Sequence, residues 1–85
     1  MAYRLTIERS AVKAIEALDS ETYRRVRSVI DQLVSDPRPA GCRKLVGADD
    51  LWRIRVGDWR IVYAVRDDEL LVLVVRVAHR RDVYR

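Results

Sequence analysis

The feature that most constrains the fold is a long, mostly apolar stretch in the second half of the chain, residues 51–77. Its three segments are rich in Val, Ile, Leu, Trp and Tyr, and they are separated by Gly57-Asp58 and by the acidic residues 67–69. Segments of this composition with short polar breaks are typical of consecutive antiparallel strands. The stretch therefore predicts a three-stranded antiparallel meander.

The two-residue break at Gly57-Asp58 also predicts the register of the first hairpin. Such a loop pairs Val56 with Trp59 and Arg55 with Arg60. Because opposed residues share a face and side chains alternate along a strand, the sheet is expected to have one apolar and one basic face. The apolar face is predicted to carry Trp52, Ile54, Val56, Trp59, Ile61, Tyr63 and Val65, and the basic face Arg53, Arg55 and Arg60.

The opposed pair of Arg55 and Arg60 is the first indication of function. Like charges in direct opposition destabilise a sheet unless an anion lies between them. The net charge is +4, with six basic and six acidic residues in 1–36 and eleven basic and seven acidic residues in 37–85. A basic excess confined to the sheet half indicates a polyanionic partner. A merely solvated basic surface explains the net charge equally well, but the opposed arginines favour the partner.

The first half of the chain predicts a strand followed by two helices. Residues 3–8 alternate apolar and polar side chains, as a half-buried strand does. Ser10 is the predicted N-cap of a first helix, and Asp19-Ser20 begins a second helix that runs to about Ser35. We expect the two to form a hairpin over the apolar face of the sheet. Their predicted buried residues are Ala11, Val12, Ala14, Ile15 and Leu18, then Tyr23, Val26, Ile30, Leu33 and Val34.

The remaining segments carry four further expectations. Residues 24, 25 and 27, arginines on the outer face of the second helix, are predicted to be solvated, with a binding patch as the alternative. Prolines and glycines predict a loop over residues 36–50. Leu70 to Val77 is apolar at nearly every position, which predicts the central strand, covered on both faces. The acidic residues 67–69 are predicted to form a solvated turn.

Several classes of function are excluded by what the sequence lacks. One cysteine and one histidine exclude an internal disulfide and a cysteine-based zinc site, and a cytosolic location is expected. No signal segment and no run of membrane-spanning length is recognised. There is no Walker A motif, no H-E-x-x-H, no nucleophile beside a histidine and an acid, and no carboxylate cluster suited to magnesium. No metal or other cofactor is expected.

The side chains that remain suit the chemistry of a phosphodiester. Arg53, Arg55, Arg60 and Arg80 can place positive charge on a phosphate in the transition state of metal-free RNA cleavage. Proton transfer is assigned to His79, because imidazole is a common acid–base group in proteins, or to Tyr84, if surrounding arginines favour loss of its phenol proton. A hydrogen bond from His79 to the backbone and packing of the Tyr84 ring on the sheet are equally compatible with the sequence. The pattern thus predicts phosphodiester binding and leaves cleavage open.

Three segments in this sequential arrangement, residues 36–45, 51–63 and 77–84, resemble the RelE/ParE superfamily of bacterial toxins. They resemble its RelE members most closely. The resemblance implies one domain over residues 1–85, with an α+β fold similar to microbial ribonucleases. It also implies the cytoplasmic toxin of a type II toxin–antitoxin system, a metal-independent endonuclease that cleaves mRNA in the ribosomal A site. The expected partners are the ribosome, its mRNA and an acidic antitoxin that wraps the toxin with helical and extended segments.

The resemblance also assigns roles to residues. RelE-type sites use two basic residues one apart on a strand, an arginine on the next strand, an arginine after the last strand, and a tyrosine near the C-terminus. The paired residues are often lysines, one of them implicated as the base, so two arginines here leave the base open. Two alternatives remain: a ParE-like toxin that inhibits DNA gyrase without nuclease activity, or a catalytically weak nucleic-acid-binding homologue. The matching catalytic positions are Arg53, Arg55, Arg60, Arg80 and Tyr84, with His79 as candidate base and Arg43, Lys44 and Arg81 as RNA-phosphate contacts.

Overall fold

The structure, a computed structural model, describes residues 2–47 and 50–83. Its α+β architecture confirms the predicted N-terminal strand, two-helix hairpin and three-stranded meander. The short tail after the meander forms one further helical turn. The elements in chain order are β1 (Arg4–Ile7), α1 (Arg9–Glu16), α2 (Ser20–Ser35), β2 (Arg43–Lys44), β3 (Leu51–Val56), β4 (Trp59–Arg66), a 3₁₀ turn (Asp67–Glu69), β5 (Leu71–His79) and α3 (Arg80–Val83).

The five strands form one sheet in the order β1-β5-β4-β3-β2, with β1 parallel to β5 and the other pairs antiparallel. The predicted hairpin register is confirmed, since Val56 opposes Trp59 and Arg55 opposes Arg60. The expectation that the last apolar segment is the central strand was wrong, because β4 is the middle strand. Strand β5 is nevertheless an interior strand, because it pairs with β1 on one edge and with β4 on the other. Strand β2 lies within the predicted loop.

A β-bulge interrupts β5. Val62 opposes Arg76 while Tyr63 opposes Val74, so Val75 is an extra residue in β5. Strict alternation from Val74 would turn Arg76 towards the helices. With the bulge, Val77 is buried instead, and Arg76 faces the opposite side of the sheet.

The helix starts follow local hydrogen bonding. Asp19 caps α2 as predicted, because its side chain accepts a hydrogen bond from the Thr22 backbone N–H (3.4 Å). The prediction of Ser10 as N-cap of α1 was wrong. The backbone N–H of Glu8 donates to the Val74 carbonyl (2.8 Å), which holds Glu8 against the sheet, and the helix begins directly after it.

One core lies between the helices and the apolar face of the sheet. Val12 and Tyr23, predicted to be buried, are exposed, because they lie at the margins of the stripes that contact the sheet. No helix of the described residues is long and apolar enough to cross a membrane. The buried core side chains include Ala11, Ile15, Val26, Ile30, Leu33, Ile54, Val56, Ile61, Tyr63, Val65, Val72, Val74 and Val77.

Candidate phosphate-binding site

Four arginines meet on the face of the sheet that the helices leave open. Arg55 on β3 directly opposes Arg60 on β4, and Arg43 on β2 directly opposes Arg53 on β3. Together they line a cavity of about 180 Å³, which we call the arginine cavity, and Gly41 and Ile54 complete its lining. The predicted set of Arg53, Arg55 and Arg60 is thus brought together, and Arg43 joins it through β2.

Three of the four cavity arginines are not paired with a carboxylate of the described residues. Within residues 2–47 and 50–83, no carboxylate forms an ion pair with Arg43, Arg53 or Arg55. Arg60 is half-buried, and its Nη1 atom is shielded from solvent. Guanidinium groups stay charged at neutral pH and bind phosphate oxygens with paired N–H donors. The cavity is therefore suited to an oxyanion such as a phosphodiester.

Arg76 lies on the same face as the cavity and was missed in the sequence analysis. Arg76 opposes Val62 on β4, and Val62 in turn opposes Arg53 on β3, so one strand lies between the two arginines. Arg76 lies on this face because the bulge at Val75 turns its side chain away from the core. Regular alternation along β5 would place Arg76 in the core, where a charged side chain is unfavourable. This conflict is the signal in the sequence that could have indicated the bulge.

The turn between β3 and β4 holds the start of α3. The Arg80 backbone N–H donates to the Asp58 carbonyl oxygen (2.7 Å), and its Nε lies 4.0 Å from Asp58 Oδ1. The Arg80 and Arg81 side chains are exposed, and neither lines the arginine cavity. The structure thus places Arg80 at the turn next to the hairpin, outside the cavity itself.

His79 and Lys44 are not brought to the arginine cavity. His79 opposes Trp59 on the apolar face of the sheet, and the two rings meet edge to face, 5.4 Å apart at 89°. Its Nδ1 accepts a hydrogen bond from the Arg81 backbone N–H (3.4 Å). This is the backbone-bonded arrangement that the sequence left open as the alternative to a proton-transfer role.

Lys44 opposes Trp52, so it alternates to the face opposite Arg43. Tyr84 lies outside the described residues.

The sequence predicts that residues 67–69 form a solvated turn, but Asp67 in that turn is held by hydrogen bonds from two side chains. Two Arg38 nitrogens donate to its two carboxylate oxygens (3.2 and 2.8 Å), and the Tyr3 hydroxyl donates to Oδ1 (2.7 Å). The Arg38 hydrogen bonds, followed by that of Tyr3, hold the pKa of Asp67 below its usual range. The same carboxylate raises the pKa of Tyr3. We call Tyr3, Arg38 and Asp67 the Asp67 clamp.

The clamp and a second anchor hold the loop that reaches the arginine cavity. The buried Tyr63 hydroxyl donates to the Pro37 carbonyl (2.7 Å), and burial raises the pKa of Tyr63. Arg38 also lies over the Trp52 ring, 5.2 Å from its centre. Four residues after Pro37 the loop supplies Gly41 to the cavity wall. The loop is therefore fixed at its start, beside β2 and Arg43.

The described residues do not bring three His, Cys, Asp or Glu side chains together as a metal-binding group. The arginine cavity supplies fixed positive charge from side chains on three neighbouring strands.

Comparison with known proteins identifies the family to which the chain belongs. The profile of the family described as "ParE toxin of type II toxin-antitoxin system, parDE" matches residues 5–84. The Escherichia coli mRNA interferase toxin RelE is 29% identical over 94% of this chain and 85% of its own. The structure superposes on the RelE chain of the Pyrococcus horikoshii RelE–RelB complex with a TM-score of 0.84 (33% identity, 94% of this chain, 97% of that one). It superposes on the isolated E. coli RelE toxin with a TM-score of 0.82 (29% identity, 98% and 92%). The chain therefore belongs to the ParE toxin family of type II toxin–antitoxin systems, within the RelE/ParE superfamily.

Proposed function

We propose that this toxin is a metal-independent endoribonuclease that cleaves mRNA in the ribosomal A site, in the cytoplasm. The observation that carries the proposal is the arginine cavity, which four arginines line. No carboxylate of the described residues is paired with Arg43, Arg53 or Arg55. A cavity of this charge attracts a phosphodiester and repels a metal cation. The similarity to an E. coli toxin named as an mRNA interferase supports the same reaction.

In this proposal the arginine cavity holds the scissile phosphate. The RNA 2′-hydroxyl attacks phosphorus, the bond to the 5′-oxygen breaks, and negative charge builds on the phosphate oxygens between them. In the proposal, Arg55 and Arg60, which oppose each other on β3 and β4, donate guanidinium N–H groups to those oxygens. Donors that are already fixed before the reaction stabilise the transition state without reorganisation. Arg53 and Arg43 bind the same phosphate from the neighbouring strand pair.

In this proposal a residue that follows β5 carries out proton transfer. The base must take the 2′-hydroxyl proton, and an acid must return one to the leaving 5′-oxygen. Arginine is a poor base because it stays protonated. His79 packs against Trp59 on the other face of the sheet, which argues against it as the base. We therefore propose Tyr84, after α3, as the proton-transfer group, with Arg80 as a further charge beside the leaving oxygen and Lys44 and Arg81 as outer contacts to RNA.

The proposed reaction is tested by primer extension on mRNA under translation, with purified ribosomes and purified toxin. Arg60→Ala is expected to lower the cleavage rate by about 10²- to 10³-fold, the loss typical of removing one fixed donor from a transition-state site. Tyr84→Phe, which keeps the ring and removes the hydroxyl, is expected to lower the rate as strongly.

Arg27→Ala is the matched control for these variants. It removes one positive charge from α2, where Arg27 pairs with Asp31 (3.5 Å), and is expected to cleave at the wild-type rate. Circular dichroism of each variant verifies folding. Unchanged cleavage in both Arg60→Ala and Tyr84→Phe would exclude the proposed site. Intact mRNA together with inhibition of gyrase supercoiling would exclude the nuclease and favour the ParE-like alternative.

The proposed protein partner is a cognate antitoxin. The P. horikoshii relative is described in complex with RelB, and a toxin of this family is expected to meet an equivalent protein. We propose that the antitoxin is acidic where it covers the arginine cavity, because an acidic segment neutralises Arg53, Arg55 and Arg60 and competes with RNA for the same charges.

A further inference from the structure

Arg25 on α2 is folded over the turn between β3 and β4. Two of its guanidinium nitrogens lie 3.4 Å from the position that a Cβ atom would take on Gly57. Gly57 has a φ of +59°, in the left-handed region that favours glycine. A Cβ at Gly57 would be in ordinary van der Waals contact with the Arg25 guanidinium, so the guanidinium lies directly over the turn. Arg25 is exposed, as predicted, but it lies against the end of the sheet instead of extending away from it.

Arg25 forms part of a second basic depression, between α2 and the end of β3. The depression has a volume of about 450 Å³. Arg55 lines both this depression and the arginine cavity, so the two sites are adjacent and share one side chain. We call it the α2–β3 depression, and its lining residues are Arg24, Arg25, Ser28, Val29, Arg55, Val56 and Gly57.

Among the described residues, the α2–β3 depression is lined by three arginines and by no acidic residue. In the parts of the chain that the structure describes, Arg24, Arg25 and Arg55 form no ion pair with a carboxylate. Arg24 makes one long hydrogen bond to its own helix, from Nε to the Ser20 carbonyl (3.4 Å). By contrast, Arg27 on the same helix is paired with Asp31. The uncompensated charge is thus concentrated on the side of α2 next to the sheet.

The edge of β3 leaves a route between the two sites. Strand β2 pairs only with Trp52 and Arg53, so among the described residues no strand covers the outer edge of β3 from Ile54 to Val56. A polymer that leaves the open face of the sheet beside Arg55 can pass around this edge and reach Arg25 without crossing another strand.

We propose that the α2–β3 depression binds a second phosphate of the RNA strand whose scissile phosphate occupies the arginine cavity. The inference rests on the proposed function, and it adds the direction in which the strand leaves the site. Arg55 lies between the two phosphates, while Arg24 and Arg25 hold the one further along. A repeating phosphodiester is the ligand that suits two adjacent sites that are lined by several arginines, have no acidic residue among their described lining residues, and share Arg55.

The test compares two non-cleavable 2′-O-methyl RNA ligands, a dinucleotide with one phosphodiester and a hexanucleotide with five, by isothermal titration calorimetry over a range of salt concentrations. Arg25→Ala is expected to weaken hexanucleotide binding several-fold and to leave dinucleotide binding unchanged. It is also expected to reduce the slope of log K against log salt for the hexanucleotide by about 0.7, the value for one phosphate contact on a single strand.

Arg27→Ala is again the matched control, since it removes the same charge from the same helix and is expected to bind both ligands as the wild type does. Equal losses in Arg25→Ala and Arg27→Ala would show a general charge effect and overturn the proposal. Unchanged hexanucleotide binding in Arg25→Ala would also overturn it, even if ribosome binding fell, because the second phosphate would then belong to ribosomal RNA. These ligands need no cleavage, so a failure of the nuclease proposal appears separately, in the primer-extension assay.

Discussion

Asp67 receives hydrogen bonds from two side chains that are distant in the sequence. Arg38 and Tyr3 lie 29 and 64 residues from it, and both reach the same carboxylate. Arg38 is the main cause of the low pKa of Asp67. Because the pKa is lower in the folded state than in the unfolded state, the carboxylate stabilises the fold when it is ionised. This contribution is fully present above the ordinary pKa of about 3.9 and is lost as the pH falls through the folded-state value.

Asp67→Asn is therefore expected to lower the melting temperature at pH 7, and the difference from the wild type is expected to shrink as the pH falls below about 4. Thermal unfolding followed by circular dichroism between pH 2.5 and 7 measures both. Asp68→Asn, in the same 3₁₀ turn, is the matched control and is expected to change the melting temperature little. A difference that stays constant with pH would contradict the role of the ionised clamp.

Tyr63 supplies a second prediction at this scale. Its hydroxyl satisfies the Pro37 carbonyl inside the core. Tyr63→Phe keeps the ring and leaves that acceptor without its donor, which is expected to cost about 1–3 kcal/mol of unfolding free energy. Chemical denaturation measures the loss. Tyr23→Phe removes an exposed hydroxyl and serves as the control, because Tyr23 lies on the surface of α2. Equal stability of Tyr63→Phe and the wild type would refute the anchor.

At the scale of the element, the bulge in β5 determines which residues reach each face. Before it Val72 and Val74 face the helices, and after it Val77 does. The extra residue is Val75, which is only half-buried. The bulge therefore allows Arg76 to face the open side while Val77 remains in the core.

Deletion of Val75 is expected to give a folded protein, because Val74 and Arg76 then alternate regularly opposite Tyr63 and Val62. Deletion of Val77 is the matched control and is expected to unfold the protein or lower its melting temperature far more. It moves Ala78 into the core position and His79 to the open face, so the core loses a branched side chain and the His79–Trp59 contact. Circular dichroism and thermal unfolding compare the two. Greater damage from deletion of Val75 would contradict the assigned register.

At the scale of the whole molecule, the two faces of the sheet differ in what covers them. The helices bury one face, and the other carries the arginines across three neighbouring strands. This arrangement concentrates the positive charge of the sheet half on a surface that remains available for a partner. It also places that charge on the rigid part of the fold, where donors keep their positions.

We expect the affinity of the proposed antitoxin for this toxin to fall as the salt concentration rises, because its contact with the arginine cavity is electrostatic. Titration calorimetry at 50 and 300 mM salt measures the change. Arg53→Gln is expected to weaken binding at low salt and to reduce the salt dependence, whereas Arg27→Ala is expected to match the wild type. An affinity that does not depend on salt would contradict an acidic antitoxin surface.

Local patterns were sufficient for the elements and for part of the site. The alternation in residues 51–66 and the two-residue turn predicted the hairpin register, and with it the grouping of Arg53, Arg55 and Arg60, because strand periodicity and turn length depend only on neighbouring residues. The N-cap at Asp19 was predicted for the same reason.

Features that depend on contacts between distant segments came only from the tertiary structure. The bulge that exposes Arg76 requires the pairing of β5 with β4. The Asp67 clamp joins residues that are 29 and 64 positions apart in the sequence. The position of Arg25 over Gly57 depends on how α2 packs across β3. Position along the chain placed His79 next to Arg80, but pairing with Trp59 put it on the other face of the sheet. The sequence determines the chemistry of each side chain. The face of the sheet on which a residue lies depends on the free energy of packing the whole chain into one core.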